Sequence, residues 1–212
     1  MPFKDFTAGD ILTASDVDTY LMGQAVIVCT STSRPISPVT GMRIWQTDTL
    51  STYVYSGASW RFLNGLSQFV RKSVDESLTS STTVQDDDEL FVAVVANAVY
   101  RIQTFIRYNS PTAADMRLTW SGPSGTVLRW GTFAPHIAQT NRDSVTVGFG
   151  VFNLTDGADV GGFGGNAVAI PMGLLTTSGS AGTLRLRWAQ STSTASATTV
   201  RAGSCLYAER LG

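Results

Sequence analysis

From Tyr100 to Asn109 the side chains alternate without a break. Tyr100, Ile102, Thr104, Ile106 and Tyr108 fall in one phase, and Arg101, Gln103, Phe105, Arg107 and Asn109 in the other. A period of two puts successive side chains on opposite faces of extended backbone, so this segment is a strand with one face toward a core. Similar segments surround it. Phe69–Val74 precedes it, and Met116/Leu118/Trp120, Val127–Trp130, Val145/Val147/Phe149/Val151, Ala167–Ile170, Leu184/Leu186/Trp188 and Ala202–Leu211 follow. Leu90 to Val95 is an unbroken apolar run, as expected of a strand covered on both faces. Turn residues such as Ser121-Gly-Pro-Ser-Gly125 separate the segments. Eight or nine strands at regular spacing, with no heptads and no second long helix, predict an all-β fold. Residues 67–212 are expected to form a jelly-roll-like β-sandwich.

The chain before residue 67 reads differently. Thr13-Ala-Ser-Asp16 fits a helix-capping pattern, and Val17, Tyr20, Leu21 and Gln24 then share a helical face. Two or three turns are too few to stand alone, so this helix must dock on something. With Phe3, Phe6, Ile11 and Leu12 nearby, residues 1–25 are expected to be an anchoring segment, its contacts made by Phe3, Phe6, Ile11, Leu12, Val17 and Leu21. Residues 26–66 predict a small β-rich collar: a strand at Val26–Thr30, a proline-stiffened connector at Ser33–Pro38, and two or three strands over Gly41–Leu63. Ser56-Gly-Ala is a tight turn there, and Asn64–Ser67 reads as a linker. Trp45, Tyr53, Tyr55, Trp60 and Phe62 crowd this collar. So small a sheet cannot bury them alone, which predicts an interface between copies of the chain.

Charge narrows the partners. Only 15% of the 212 residues are charged and the formal net charge is −1, with no basic concentration on either side of residue 66. Nucleic acid is therefore not an expected partner. Lys4 and Lys72 are the only lysines, and arginine, the residue better suited to protein interfaces, supplies the rest of the positive charge. No apolar run approaches the roughly 18 residues of a membrane span, and Met-Pro-Phe-Lys-Asp-Phe does not read as a signal peptide. A soluble product assembled in a cytoplasm is expected. Cys29 and Cys205 sit in apolar contexts and read as small buried hydrophobes.

No catalytic constellation, cofactor motif or metal-ligand set stands out. The single histidine, His136, is read as a polar loop residue. Asp86–Glu89 is read as a solvated turn, since neighbouring strand residues diverge and the run lacks the spacing of a calcium loop; an ion held there on a symmetry axis is the rarer alternative. Gly157–Gly165 lacks the lysine and the following helix of a phosphate cradle, and is expected to be a flexible surface loop carrying Phe163. Polar loops around Asn109–Ala114, Pro135–Asp143, Thr155–Asn166 and Ser191–Ala197 are candidates for binding contacts, through Asn109, His136, Asn141, Asp156, Phe163 and Asn166.

The segment Asp5-Phe-Thr-Ala-Gly-Asp-Ile-Leu-Thr-Ala-Ser-Asp-Val-Asp-Thr-Tyr-Leu-Met22, followed by Gln24-Ala-Val, resembles the N-terminal segment of tail-fibre and minor-tail-type proteins of tailed bacteriophages. So do Arg34-Pro, Gly41-Met, Thr47-Asp-Thr and Val54-Tyr-Ser-Gly-Ala-Ser-Trp60. The resemblance covers about the first 66 residues. Residues 67–212 are similar in style to trimeric jelly-roll heads of fibres and of tumour-necrosis-factor-like proteins, with Val200–Tyr207 resembling their last strand. The resemblance implies a homotrimeric virion protein, joined to other virion proteins through its N-terminus, whose knob contacts a host glycan or protein. It brings no catalytic residues. A capsid-attached decoration protein or head fibre is the alternative within the class, and a polysaccharide-degrading enzyme the remote one.

Overall fold

The computed structural model describes residues 7–17, 26–65, 67–137 and 151–211, with backbone only at 64 and 65. They fall into two compact units, divided between residues 66 and 67.

In the first unit, α1 (Ala14–Asp16) carries the expected capping box. The Asp16 amide donates to Thr13 Oγ1 at 3.1 Å, and the Thr13 hydroxyl donates to Asp16 Oδ2 at 2.7 Å. Tyr20, Leu21 and Gln24 lie outside the described residues, as do Phe3 and Phe6. Four strands follow: β1 (Val26–Cys29), β2 (Arg43–Gln46), β3 (Ser51–Tyr55) and β4 (Trp60–Gly65). They form one sheet in chain order, β1–β2 parallel and the rest antiparallel. A parallel pair needs a long crossover, and residues 30–42 supply it. Asp48 ties the C-terminal ends of β1 and β2 together, accepting from the Ser31 amide at 3.0 Å and the Ser31 hydroxyl at 2.6 Å. These bonds hold the Asp48 carboxyl below the usual aspartate range. The expected linker at Asn64–Ser67 is corrected: β4 runs to Gly65, paired with Ser51, and β5 (Ser67–Arg71) starts at Ser67. Ladder hydrogen bonds, which composition cannot reveal, extend both strands.

The second unit is a two-sheet antiparallel β-sandwich. Its strands are β5, β6 (Glu76–Leu78), β7 (Gln85–Val94), β8 (Val99–Asn109), β9 (Met116–Ser121), β10 (Val127–Phe133), β11 (Ala158–Val160), β12 (Asn166–Thr176), β13 (Gly182–Gln190), β14 (Thr198–Val200) and β15 (Cys205–Arg210). One sheet has the order β11-β9-β13-β7. The other centres on β8, flanked by β12 and β10 on one side and by β15–β5 and β14–β6 on the other. Eleven described strands exceed the expected eight or nine, because β6, β11 and β14 are three residues long, too short to display alternation. Val145, Val147 and Phe149 lie outside the described residues.

The alternation of residues 100–109 holds as read, the even residues from Tyr100 to Tyr108 facing the core. Leu118, Trp120, Leu184, Leu186 and Trp188 meet them from the opposite sheet. Trp120 packs edge-on against Trp130, with ring centres 6.3 Å apart. The Leu90–Val95 run is corrected. Leu90, Val92 and Val94 are buried, but Phe91 and Ala93 face outward, and the Arg185 guanidinium lies 4.3 Å from the Phe91 ring centre. That cation–π contact covers an outward phenylalanine, which is why an unbroken apolar run needs only one buried face.

Candidate functional site

The outer surface of the β5-β15-β8-β12-β10 sheet is apolar, although the sandwich core lies on the opposite side. The register builds it row by row. Cys205 pairs with Phe105, and Phe133 pairs with Ile170. In the next row Phe69 pairs with Tyr207, Tyr207 with Gln103, and Gln103 with Met172. Beyond that, Glu209 pairs with Arg101 and Arg101 with Leu174. Phe69 is 66% exposed, Leu174 49%, Phe133 43% and Phe105 41%. Cross-strand partners share a face, so these side chains form a continuous patch rather than scattered singletons. The polar rim includes Arg101, ion-paired with Glu209 across the strands, and Arg71 and Arg129, which have no carboxylate partner among the described residues. A signal for this face was present in the chain: Phe105 stands in the otherwise polar phase of residues 100–109. The remainder could not be read, because register decides which outward residues of five strands become neighbours.

The collar aromatics are placed less openly than expected. Trp45, Tyr53, Tyr55, Trp60 and Phe62 are all half-buried within one copy. Tyr53 meets Phe62 edge-on at 5.8 Å, Tyr55 meets Trp60 at 5.3 Å, and the Arg34 guanidinium covers Tyr53 at 4.8 Å. Ile44, fully buried, pairs with Tyr53 on that same face. Trp45 pairs instead with Val28 and Thr52 and points to the other face. The expected single exposed patch is thus corrected to one self-shielding aromatic face and an opposite face where Val26, Val28 and Leu63 are exposed. In the anchoring segment Ile11 and Leu12 are exposed and Val17 is half-buried; Leu21 lies outside the described residues.

Four of the loop candidates come together at one end of the sandwich. Asn109 pairs with Asn166 across β8 and β12. The Gly161 amide donates to Pro135 O at 2.7 Å, beside exposed His136, whose Nδ1 lies 2.7 Å from Ile137 O. Asp156 is elsewhere, in a turn where it accepts from the Asn153 amide at 2.7 Å. Asn141 lies outside the described residues. The expectation of a flexible loop at Gly157–Gly165 is corrected, since this segment is packed in place. It includes β11, Gly161 and Gly162 are buried, and Phe163 packs half-buried on the core. Tyr108 donates to Gly161 O at 2.6 Å, and burial raises the Tyr108 phenol well above its usual range. The glycines serve close approach: a Cβ on Gly161 would lie 2.2 Å from His136 O, and one on Gly162 would lie 2.4 Å from Ser110 O.

Asp86–Glu89 is likewise no solvated turn. It lies inside β7, where the pairing with β13 shifts register between Arg185 and Arg187. That irregularity turns Asp87 inward, where it is fully buried against fully buried Lys72 at 3.0 Å. Asp86 pairs with Arg187 at 2.7 Å, and Glu89 accepts from the Ser73 amide at 3.0 Å. Among the described residues no cluster of His, Cys, Asp or Glu is placed to hold a metal ion. Cys29 is buried as expected, whereas Cys205 is only half-buried because it faces the outer patch; neither forms a disulfide. A cleft of about 570 Å³ opens between Thr83, Arg117, Trp120, Thr155 and Arg187. Its arginines are already paired, Arg117 with Asp159 and Arg187 with Asp86.

No protein-family model matches the chain, and no curated protein matches it. Among solved structures, those of infectious bursal disease virus overlap weakly. The Gx strain structure is 7% identical over 74% of this chain and 44% of that chain, with a TM-score of 0.15. The Gt strain structure is 7% identical over 72% and 38%, with a TM-score of 0.17. The VP2 subviral particle is 9% identical over 83% and 48%, with a TM-score of 0.18. The chain spans less than half the length of these chains, and such scores do not establish a common fold.

Proposed function

We propose that this chain is a structural protein of a tailed-bacteriophage virion, a homotrimeric short tail fibre or minor tail protein with no enzymatic activity. The observation that carries the reading is the apolar outer face of the β5-β15-β8-β12-β10 sheet. A folded sandwich that leaves phenylalanine, methionine and leucine on one continuous face is finished by further protein surface. A second copy suits it, because the face offers both an apolar centre and a rim of Arg71, Arg129 and the Arg101–Glu209 pair. The resemblance of the first 66 residues to fibre and minor-tail segments supports attachment through the N-terminus, where Ile11 and Leu12 stand exposed. The end of the sandwich carrying Asn109, His136, Phe163 and Asn166 is the surface assigned to the host.

Sedimentation of the full chain over a concentration series tests the assembly: a species of three chain masses supports it, and a well-folded monomer at every concentration overturns it. Antibody labelling of intact particles tests the location. Label on tails is expected, and label on capsids would replace the tail reading with a decoration protein or head fibre.

A further inference from the structure

Lys72 is fully buried, and its ammonium contacts two carboxylates, Glu76 Oε2 at 2.6 Å and Asp87 Oδ1 at 3.0 Å. Burial alone would lower the pKa of Lys72, but the hydrogen bonds it donates to Glu76 and Asp87 more than offset it, and the net direction is upward. The contacts of Lys72 with both carboxylates make a buried ion pair the starting state. The Asp87 carboxylate is bound unequally. Oδ1 accepts from Lys72 and also from the amides of Glu89 at 3.0 Å and Leu90 at 2.8 Å. Oδ2 is buried with no hydrogen-bond partner. A buried carboxylate oxygen with nothing to accept from is costly, and its loss would remove that cost.

We propose that Lys72 and Asp87 join through a side-chain amide, with Glu76 carrying the proton. The geometry supplies each part. Glu76 relays a proton from the Lys72 ammonium to Asp87 Oδ2, which frees the nitrogen lone pair and leaves a neutral carboxyl open to addition. The amine adds to Cγ of Asp87, and the charge that develops on Oδ1 is met by the Glu89 and Leu90 amides, already aimed at that atom. The Cγ–Oδ2 bond then breaks and Oδ2 departs as water. That water carries away two of the three ammonium protons, one relayed by Glu76 and one released from nitrogen during addition, and the third stays on the amide nitrogen. The reaction is a condensation, so it needs no oxidant, cofactor or metal.

Hydrogen bonds hold the partners in place. The Lys72 amide donates to Ser204 O at 2.8 Å, the Gly203 amide donates to Lys72 O at 2.8 Å, and the Gln85 side chain donates to Glu76 Oε1 at 2.7 Å. Groups fixed in this way react as though at effective concentrations of about 10⁵ M or more, which offsets the scarcity of free amine. Lys72 follows β5 in one sheet, whereas Asp87 lies in β7 of the other. The amide would therefore tie the two layers of the sandwich together covalently.

The test is the intact mass of the full chain, measured after denaturation. A mass lower by one water is expected, together with a branched proteolytic peptide joining the Lys72 and Asp87 segments. The full uncondensed mass after prolonged incubation near neutral pH would overturn the proposal. K72R and D87A should restore the full mass. E76Q should slow the condensation by about 100-fold or more, with circular dichroism confirming that it folds; condensation at the wild-type rate would remove Glu76 from its role. The wild-type mass stands as evidence even if a variant fails to fold, and it is independent of where the protein sits on a particle.

Discussion

The two units solve the same problem with unequal means. The sandwich buries Trp120, Trp188, Tyr108 and a dense set of leucines between two sheets. The small sheet fully buries only Ile44 among its large apolar side chains and must let its aromatic rings shield one another in pairs. Among the described residues of that unit the sheet is a single layer, and its rings stay half-exposed although they pair. The sandwich meets its needs within one copy and then leaves an apolar face outward. The sandwich core and the apolar outer face lie on opposite sides of one sheet, so the surface proposed for assembly is separate from the one that folds the chain.

The sharpest way to break that contrast is to truncate one aromatic in each unit. Trp188→Ala should destabilise the sandwich by about 3–5 kcal/mol, whereas Tyr55→Ala should cost about 1 kcal/mol or less. Denaturant unfolding with separate reporters for the two units would check this, and equal losses would mean the small sheet has a fuller core than the chain shows. Next, Gly161→Ala should cost about 3 kcal/mol, because its Cβ would be driven into His136 O. Gly41→Ala in the small sheet meets open space and costs about 1 kcal/mol from its φ of +90° alone. Thermal melts of the two variants should rank them in that order.

A third pair of variants tests the proposed assembly and the surface it uses. Phe105→Ser on the sandwich face should weaken association by about 2 kcal/mol, roughly 30-fold, if it is a central contact. Val28→Ser on the open face of the small sheet should have less effect. Sedimentation equilibrium would read both, and the opposite ranking would move the main interface to the small sheet.

The smallest expected effect is on acid stability. Hydrogen bonds from Ser31 hold Asp48 below its ordinary range in the small sheet. In the sandwich the Ala202 amide, with Arg201, does the same for Asp75, and Ser73 does so for Glu89. A carboxyl with a lowered folded pKa contributes its full stability above its unfolded value and loses it as pH falls through the folded value. Both units should therefore hold constant stability above about pH 5 and weaken below about pH 4. Asp48→Asn should flatten the acid limb of the small sheet, read through Trp45 and Trp60, while leaving that of the sandwich unchanged.

Local chemistry was readable where a pattern repeats or a short motif stands alone. The alternation at 100–109, the Thr13–Asp16 cap and the three strands of Gly41–Leu63 appear as expected, because each depends on near neighbours in the chain. Three readings went astray for one shared reason. Asp86–Glu89 looks solvated until a shift of register turns Asp87 toward Lys72. Gly157–Gly165 looks loose until the backbones at Ser110 and His136 close on it. The aromatics of the small sheet look like one patch until pairing puts Trp45 on the opposite face.

By itself, the sequence determined that this chain is all-β, that it changes character near residue 66, and which phase of residues 100–109 faces a core. Periodicity and turn chemistry are local, and they survive any arrangement of the strands. Only the tertiary structure decided that Phe69, Phe105, Phe133 and Leu174 form one surface, and that a lysine and two carboxylates meet inside. Those meetings depend on strand order and register, which are set by contacts between residues far apart in the chain.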